Sequence, residues 1–169
     1  IKKSWYFDEL NSRLGLSYSI RSNKKFNGSL RLGFITLYPD TFDKNKLHYT
    51  THNGGDIKEK FFLNNINKID HGEAVSHLVT GNQAVGITEG VIDIGDNKRF
   101  LRIKIDKTKS SLVGLITYRK IKSKYFYRVC FSMKEQDDTS KNQKLPKLNS
   151  FIWIQANKYN QNWGIGIPI

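Results

Sequence analysis

Cysteine is nearly absent from this sequence, and so are long apolar runs. Cys130 is the only cysteine among 169 residues, which excludes an intramolecular disulfide and a zinc site built from several thiolates. No apolar run approaches the roughly 20 residues that a membrane-spanning helix needs. Residues 1–5 also lack the apolar core of a signal peptide. The lone cysteine and the missing signal favour a cytoplasmic protein.

Repeats, heptads and flexible linkers are missing as well, so no feature of the sequence divides the chain. Apolar residues make up 38% and charged residues 25%, which is the composition of a folded protein rather than of a disordered or membrane-embedded one. A chain of 169 residues is long enough to bury a core without staples. The sequence therefore predicts a single domain over residues 1–169.

Apolar and polar residues alternate with a period of two along much of the chain. Leu14, Leu16 and Tyr18 alternate with small or polar residues, as expected of a half-buried strand. Short strands of this kind, joined by turns, are typical of an antiparallel sandwich. The sequence therefore predicts an all-β fold, either an antiparallel β-sandwich or a partly open barrel. The predicted strands lie at 14–21, 30–38, 46–51, 60–63, 85–94, 100–106, 111–121, 125–133, 151–156 and 163–167.

One or two short helices are expected beside these strands. Ser4 is placed to cap a helix over residues 5–14. Asp70 is placed to cap another over residues 70–79, with Glu73 reaching back as in a capping box. Within the strand at 85–94, Gly90 predicts a β-bulge. The polar stretch 135–149 is expected to be a loop.

Positive charge is concentrated in one part of the chain. The 28 basic and 15 acidic residues give a net charge of +13. Residues 98–128 hold eleven basic residues and one acid, Asp106, so this window carries +10 and the other 138 residues carry +3. A bias in codon usage would spread lysine evenly. The clustering instead indicates a surface that meets a polyanion.

Two predicted hairpins make up this basic window. Strand geometry would project cations from both hairpins toward one face, where they would neutralise the phosphates of DNA or RNA. Interleaved aromatic rings would stack on unpaired bases. We therefore expect a nucleic-acid-binding surface that needs no cofactor and no metal. Its expected contact residues are Lys98, Arg102, Lys104, Lys120, Lys122, Lys124, Arg128, Tyr125 and Tyr127.

A carbohydrate-binding β-sandwich is the alternative reading. Tyr159 and Trp163 lie near the end of the chain among several asparagines and a glutamine. Aromatic faces beside amide side chains are suited to a sugar ring, because the ring stacks while the amides bond its hydroxyl groups. Trp153 alternates with Phe151 and is expected in the core.

An enzyme is the third possibility. His71, Glu73 and His77 form the densest titratable cluster, and on a helix Glu73 and His77 would share one face. A metal-dependent hydrolase uses a carboxylate and an imidazole in this way, although the same residues fit a helix cap with an exposed histidine. The sequence has no G-x-S-x-G elbow and no G-x-x-x-x-G-K-[ST] loop, so catalytic activity stays an open question.

Overall fold

The computed structural model describes residues 1–26, 30–37, 39–63, 85–109, 112–122, 124–134, 143–144, 147–159 and 166–168. Within these ranges the protein is all-β, and two antiparallel sheets pack together without closing into a barrel. This confirms the predicted fold class and selects the sandwich over the barrel. The same ranges contain no α-helix, only two 3₁₀ turns at Pro39–Thr41 and Lys44–Lys46.

The described strands are numbered in chain order. They are β1 (Lys2–Asp8), β2 (Arg13–Ile20), β3 (Lys25–Phe26), β4 (Leu30–Leu37), β5 (His48–Thr51), β6 (Glu59–Phe62), β7 (Val85–Ile87), β8 (Val91–Gly95), β9 (Arg99–Ile105), β10 (Val113–Ile121), β11 (Lys124–Lys134), β12 (Gln143–Lys144), β13 (Leu148–Tyr159) and β14 (Gly166–Pro168).

The strands form one large and one small sheet. The larger sheet has the order β1-β2-β13-β9-β8-β5-β6, with β14 added to β13, and the smaller sheet has the order β4-β11-β10-β7. A short pair, β3 with β12, stands apart from both. Long β13 lies between β2 and β9, so it joins the first part of the chain to the middle part.

The core lies between the two sheets. Ile103 on β9 and Ile152 on β13 point inward from the larger sheet, and Ile116 and Val129 meet them from the smaller one. All four are at most 1% exposed. β-branched side chains pack well on a pleated surface, and each fully buried one contributes about 1.5–3 kcal/mol. Residues that alternate with these must therefore point to the outer faces of the sandwich.

The helix predicted over residues 5–14 is wrong, because this segment forms β1, a turn and the start of β2. Trp5 pairs with Leu16 across the β1–β2 ladder, so Ser4 lies inside a strand and caps nothing. Successive aromatic residues favour a strand over a helix. Ser12, with φ of 47°, closes the turn, and the carboxylate of Asp8 accepts a hydrogen bond from the backbone of Asn11 at 3.1 Å.

The bulge predicted at Gly90 is also wrong, because the chain changes sheets there. β7 pairs with β10 in the smaller sheet, whereas β8 pairs with β5 and β9 in the larger one. Gly90 has φ of 72°, a value that glycine adopts without strain.

Two other expectations fall wholly or partly on undescribed positions. The helix predicted over 70–79 lies outside the described residues. In the stretch 135–149, expected to be a loop, the described part contains β12 and the beginning of β13.

Candidate nucleic-acid interface

The two basic hairpins belong to different sheets. β8 and β9 lie in the larger sheet, and β10 and β11 lie in the smaller one. Ile103 faces the core, so its neighbours Arg102 and Lys104 lie on the outer face of the larger sheet; Val129 also faces the core, so Arg128 lies on the opposite side of the sandwich. The expectation that both hairpins share one face is wrong, because alternation fixes the face of a strand but not the sheet that it joins.

The residues expected on the second hairpin have different surroundings. Tyr127 is 0% exposed and packs against Tyr118 in the core, so it cannot stack on a base. Arg128 is half-buried, with its guanidinium 5.8 Å from the ring of Phe126. Lys122 is exposed in the turn. The backbones of three others form β10 and β11, but their side chains lie outside the described part: Lys120, Lys124 and Tyr125.

One continuous surface is formed by the outward residues of β9 and β13, which we call the β9–β13 face. Register pairs Arg102 with Gln155 and Lys104 with Trp153. Lys98 precedes β9 at the end of this face, where its carbonyl accepts a hydrogen bond from the backbone of Tyr159 at 2.9 Å. Its members are Lys98, Phe100, Arg102 and Lys104, and opposite them Tyr159, Asn157, Gln155, Trp153 and Phe151. Phe100 and Asn157 point the same way as the others but are only 3% exposed.

Cations on this face differ in their availability. Arg102 is bound to Asp93 by two hydrogen bonds of 2.6 and 2.8 Å, and these bonds raise the pKa of the guanidinium above its usual value. Lys58 also contacts Asp93, at 2.6 Å. Lys98 and Lys104 are exposed and form no ion pair with any described residue. They are therefore the cations of this face that remain available to an anion.

Aromatic rings cover the middle and one end of the face. The rings of Phe151 and Trp153 have centroids 4.7 Å apart and lie directly over Gly15, where an added Cβ would be 2.9 Å from each ring. Tyr6, 47% exposed, lies 5.5 Å from Phe151. Trp153 lies on the outer face and not in the core as expected, because it alternates along β13 with the core residue Ile152. The missing side chain of Gly15 leaves room for its ring on that face.

Two further cations border these rings. The guanidinium of Arg13 lies 3.9 Å from the ring centre of Trp153 and is held by Asp8 at 2.7 Å. The ammonium of Lys109 lies 5.3 Å from the ring centre of Phe151. Contacts of cations with ring faces are attractive in themselves. Asp8 offsets the charge of Arg13, and Asp106, 3.4 Å from the ammonium of Lys109, offsets the charge of that lysine.

A cavity of about 550 Å³ opens at the other end of the β9–β13 face. Asp96 is 3% exposed and accepts backbone hydrogen bonds from Asp43, Lys98 and Arg99 at 2.9, 2.7 and 3.0 Å. Burial alone would raise the pKa of this carboxyl, but the three hydrogen bonds outweigh it and hold the pKa below its usual value. The cavity, which we call the turn cavity, is lined by Asp43, Lys46, Asp96, Asn97, Lys98, Arg99, Lys158 and Tyr159.

Tyr159, expected as a sugar contact, lies in the wall of the turn cavity. Its ring packs on Phe100 with centroids 4.6 Å apart, and burial raises the pKa of its hydroxyl above the usual value. Phe100 is thereby 3% exposed. Tyr159 and Lys98, which were expected in two different kinds of site, therefore belong to one. Trp163 lies outside the described residues.

The cluster suggested for an enzyme cannot be placed. His71, Glu73 and His77 lie outside the described residues. Among those that the structure describes, no three histidine, cysteine, aspartate or glutamate side chains are grouped so that they could hold a metal ion.

Comparisons with family models, with curated proteins and with solved structures found no match for this chain. No helix within the described ranges could cross a lipid bilayer. Function is therefore inferred from the residues of the β9–β13 face and of the turn cavity.

Proposed function

We propose that this protein binds single-stranded nucleic acid along the β9–β13 face. The observation that carries the proposal is the pairing, on one sheet face, of exposed lysines with aromatic rings. Lys98 and Lys104 would contact phosphates, and Phe151 and Trp153 would contact bases. Proteins that bind single strands combine a positively charged track with rings on which successive bases stack.

The spacing of the charges suits an extended strand. Lys98 and Lys104 are six residues apart, which corresponds to about 20 Å along β9. Lys109, beyond Phe151, is paired with Asp106 at 3.4 Å. If Lys98 and Lys104 neutralise two phosphates, log K should fall against log salt with a slope of about −1.4, at roughly 0.7 per phosphate for a single strand.

The aromatic rings favour a single strand over a duplex. Bases within a duplex are stacked on each other and expose only their edges, whereas an unpaired base offers a full face. Stacking on a side chain contributes about 1–3 kcal/mol per base. The guanidinium of Arg13, 3.9 Å from the ring centre of Trp153 and paired with Asp8, adds a second planar group beside this ring.

Carbohydrate binding is less well supported, because the amides beside these rings are already engaged. The side chain of Gln155 donates to the carbonyl of Asn11 at 2.7 Å. The side chain of Asn157 donates to the carbonyl of Gln155 at 3.1 Å. Within the described residues, a sugar would therefore find rings whose neighbouring amide nitrogens are already bonded to the protein.

The test compares two charge reversals, one on the larger sheet and one at the β10–β11 turn of the smaller sheet. Lys104→Glu removes a lysine from the β9–β13 face, and Lys122→Glu makes the same change of charge on the smaller sheet. Fluorescence anisotropy with a labelled 12-nucleotide DNA or RNA strand should show affinity at least tenfold lower for Lys104→Glu. Lys122→Glu should change affinity by less than threefold at 0.15 M salt, where the Debye length is about 8 Å.

Two results would overturn the proposal. One is an equal loss of affinity in both variants, which would mean that binding depends on the net charge of the protein and not on the β9–β13 face. The other is that heparin binds as tightly as the oligonucleotide and that Trp153→Ala weakens neither interaction. Retention of native circular dichroism in every variant is the control for folding.

A further inference from the structure

The turn cavity is lined by cations from three separate parts of the chain. Lys46 comes from the second 3₁₀ turn, Lys98 and Arg99 from the β8–β9 turn and the first position of β9, and Lys158 from the end of β13. Only two acids share the lining. Four positive and two negative charges leave a net charge of +2 around one cavity.

Both carboxylates of the turn cavity are engaged within the protein. Asp96 accepts three backbone hydrogen bonds, and Asp43 accepts one from the backbone of Asn45 at 3.0 Å. Their role is to fasten the walls rather than to neutralise the lysines.

The lysines of the turn cavity, in contrast, have no acidic partner among the residues that the structure describes. Lys46, Lys98 and Lys158 are exposed and form no ion pair with a described residue. Arg99 donates to the carbonyl of Thr41, which fixes its direction, and its charge helps to hold the pKa of Asp96 below the usual value. Like charges held around a concave site repel each other and raise the local concentration of anions.

We propose that the turn cavity binds a phosphate monoester. A monoester carries about −1.5 to −2 charge at pH 7, which matches the net charge of the lining, whereas an internal phosphodiester carries one charge. A cavity of about 550 Å³ lies within the usual range for small ligands, and Tyr159 offers a ring beside the cations. The monoester is either the terminal phosphate of a strand on the β9–β13 face or a free nucleoside monophosphate; the former rests on the proposed function.

Lys98 connects the turn cavity with the β9–β13 face and so favours the terminal phosphate of a bound strand as the ligand. It belongs both to the turn cavity and to the β9–β13 face, so a strand lying on the face would place one end in the cavity. The protein would then prefer strands with a phosphorylated end over strands that end in a hydroxyl group.

The experiment uses four probes at 0.15 M salt. Three of them are forms of one oligonucleotide: one form has a 5′-phosphate, one has a 3′-phosphate, and one has hydroxyl groups at both ends. The fourth is adenosine monophosphate, used as an unlabelled competitor or as a calorimetric titrant. One phosphorylated form should bind at least tenfold more tightly than the hydroxyl form. Lys158→Ala should reduce this preference to less than threefold.

Lys44→Ala is the matched control. Lys44 lies two residues before Lys46 on the same 3₁₀ turn, but it pairs with Asp40 at 3.2 Å and does not line the turn cavity. This variant loses the same charge and should keep the full preference for a phosphorylated end.

The outcomes separate the two proposals. If the three oligonucleotides bind equally well, the cavity proposal fails and nucleic-acid binding by the face stands. If no oligonucleotide binds but adenosine monophosphate does so in a manner that depends on Lys158, the face proposal fails and the cavity proposal stands for a free nucleotide. If Lys44→Ala and Lys158→Ala weaken the preference equally, the cavity proposal is overturned.

Discussion

Arg102 donates two hydrogen bonds to Asp93, from Nε to Oδ1 at 2.6 Å and from Nη2 to Oδ2 at 2.8 Å. The two residues face each other across β8 and β9. Lys58 approaches the same carboxylate at 2.6 Å. Asp93 is 4% exposed, so a buried acid stands beside a positively charged face and compensates its central arginine.

Asp93→Asn is expected to have opposite effects on stability and on binding. The free energy of unfolding should fall by about 1–3 kcal/mol, because hydrogen bonds to a charged group are lost. Affinity for a single strand should rise, since Arg102 and Lys58 are released from their carboxylate. Urea unfolding and anisotropy on one preparation measure both. An affinity that stays constant or falls in the folded variant contradicts binding at this face.

Gly15→Ala tests the position of the aromatic rings. The new Cβ would stand 2.9 Å from Phe151 and from Trp153, so both rings would have to shift. Overpacking of this kind costs about 1–3 kcal/mol, and oligonucleotide affinity should fall with it. Gly55→Ala is the control, because a Cβ there meets nothing within 4 Å. Equal stability of the two variants in urea unfolding would show that the rings are not held as described.

Asp96→Asn tests whether the carboxylate of Asp96 stabilises the β8–β9 turn, through the pH dependence of the stability of the protein. Burial works against the charged form, but backbone hydrogen bonds hold the pKa of Asp96 below its usual value. Stability from such a group is fully present above the pKa of an unfolded aspartate, about 3.9, and is lost as pH falls through the lower folded value. The wild type should therefore exceed Asp96→Asn in stability by a constant amount above about pH 5, and by less below about pH 4. Thermal unfolding from pH 3 to 7 measures this; a gap that widens in acid refutes it.

Phe7→Lys is expected to reduce self-association without loss of stability. Within the described residues β1 pairs only with β2, and Phe7 is 82% exposed on it. Apolar edge strands promote pairing between copies, and an added lysine prevents it. Light scattering against protein concentration should decrease, while the free energy of unfolding changes by less than about 0.5 kcal/mol. Ile57→Lys, at a residue 78% exposed outside the strands, makes the same change of charge and should have a smaller effect.

Alternation in the sequence was sufficient to locate most of the described strands. Leu14 to Ile20 and Phe100 to Ile105 follow the period of a half-buried strand and form β2 and β9. β1 was missed because Trp5, Tyr6 and Phe7 are consecutive and all exposed, so no period marks the strand. An edge strand with both faces partly open has little reason to alternate.

The candidate site was predicted only in part, because its contacts are long-range. Lys98 and Lys104 were found from local charge and lie on the β9–β13 face. Lys46 and Lys158 reach the turn cavity only after the sheet has assembled, and no local pattern indicates this. The register of the β8–β9 hairpin decides that Arg102 meets Asp93. The pair could have been predicted only if the length of the β8–β9 turn, which sets this register, had been known.

Asp96 fastens together segments that are 53 positions apart in the chain, so the walls of the turn cavity exist as a unit only in the folded protein. A small anion that fills the cavity would therefore raise the free energy of unfolding, by about 2.7 kcal/mol at a concentration one hundred times its Kd, and the melting temperature would rise with it. A thermal-shift screen of phosphorylated metabolites would consequently report an occupant directly, with no label and no prior choice of nucleic acid.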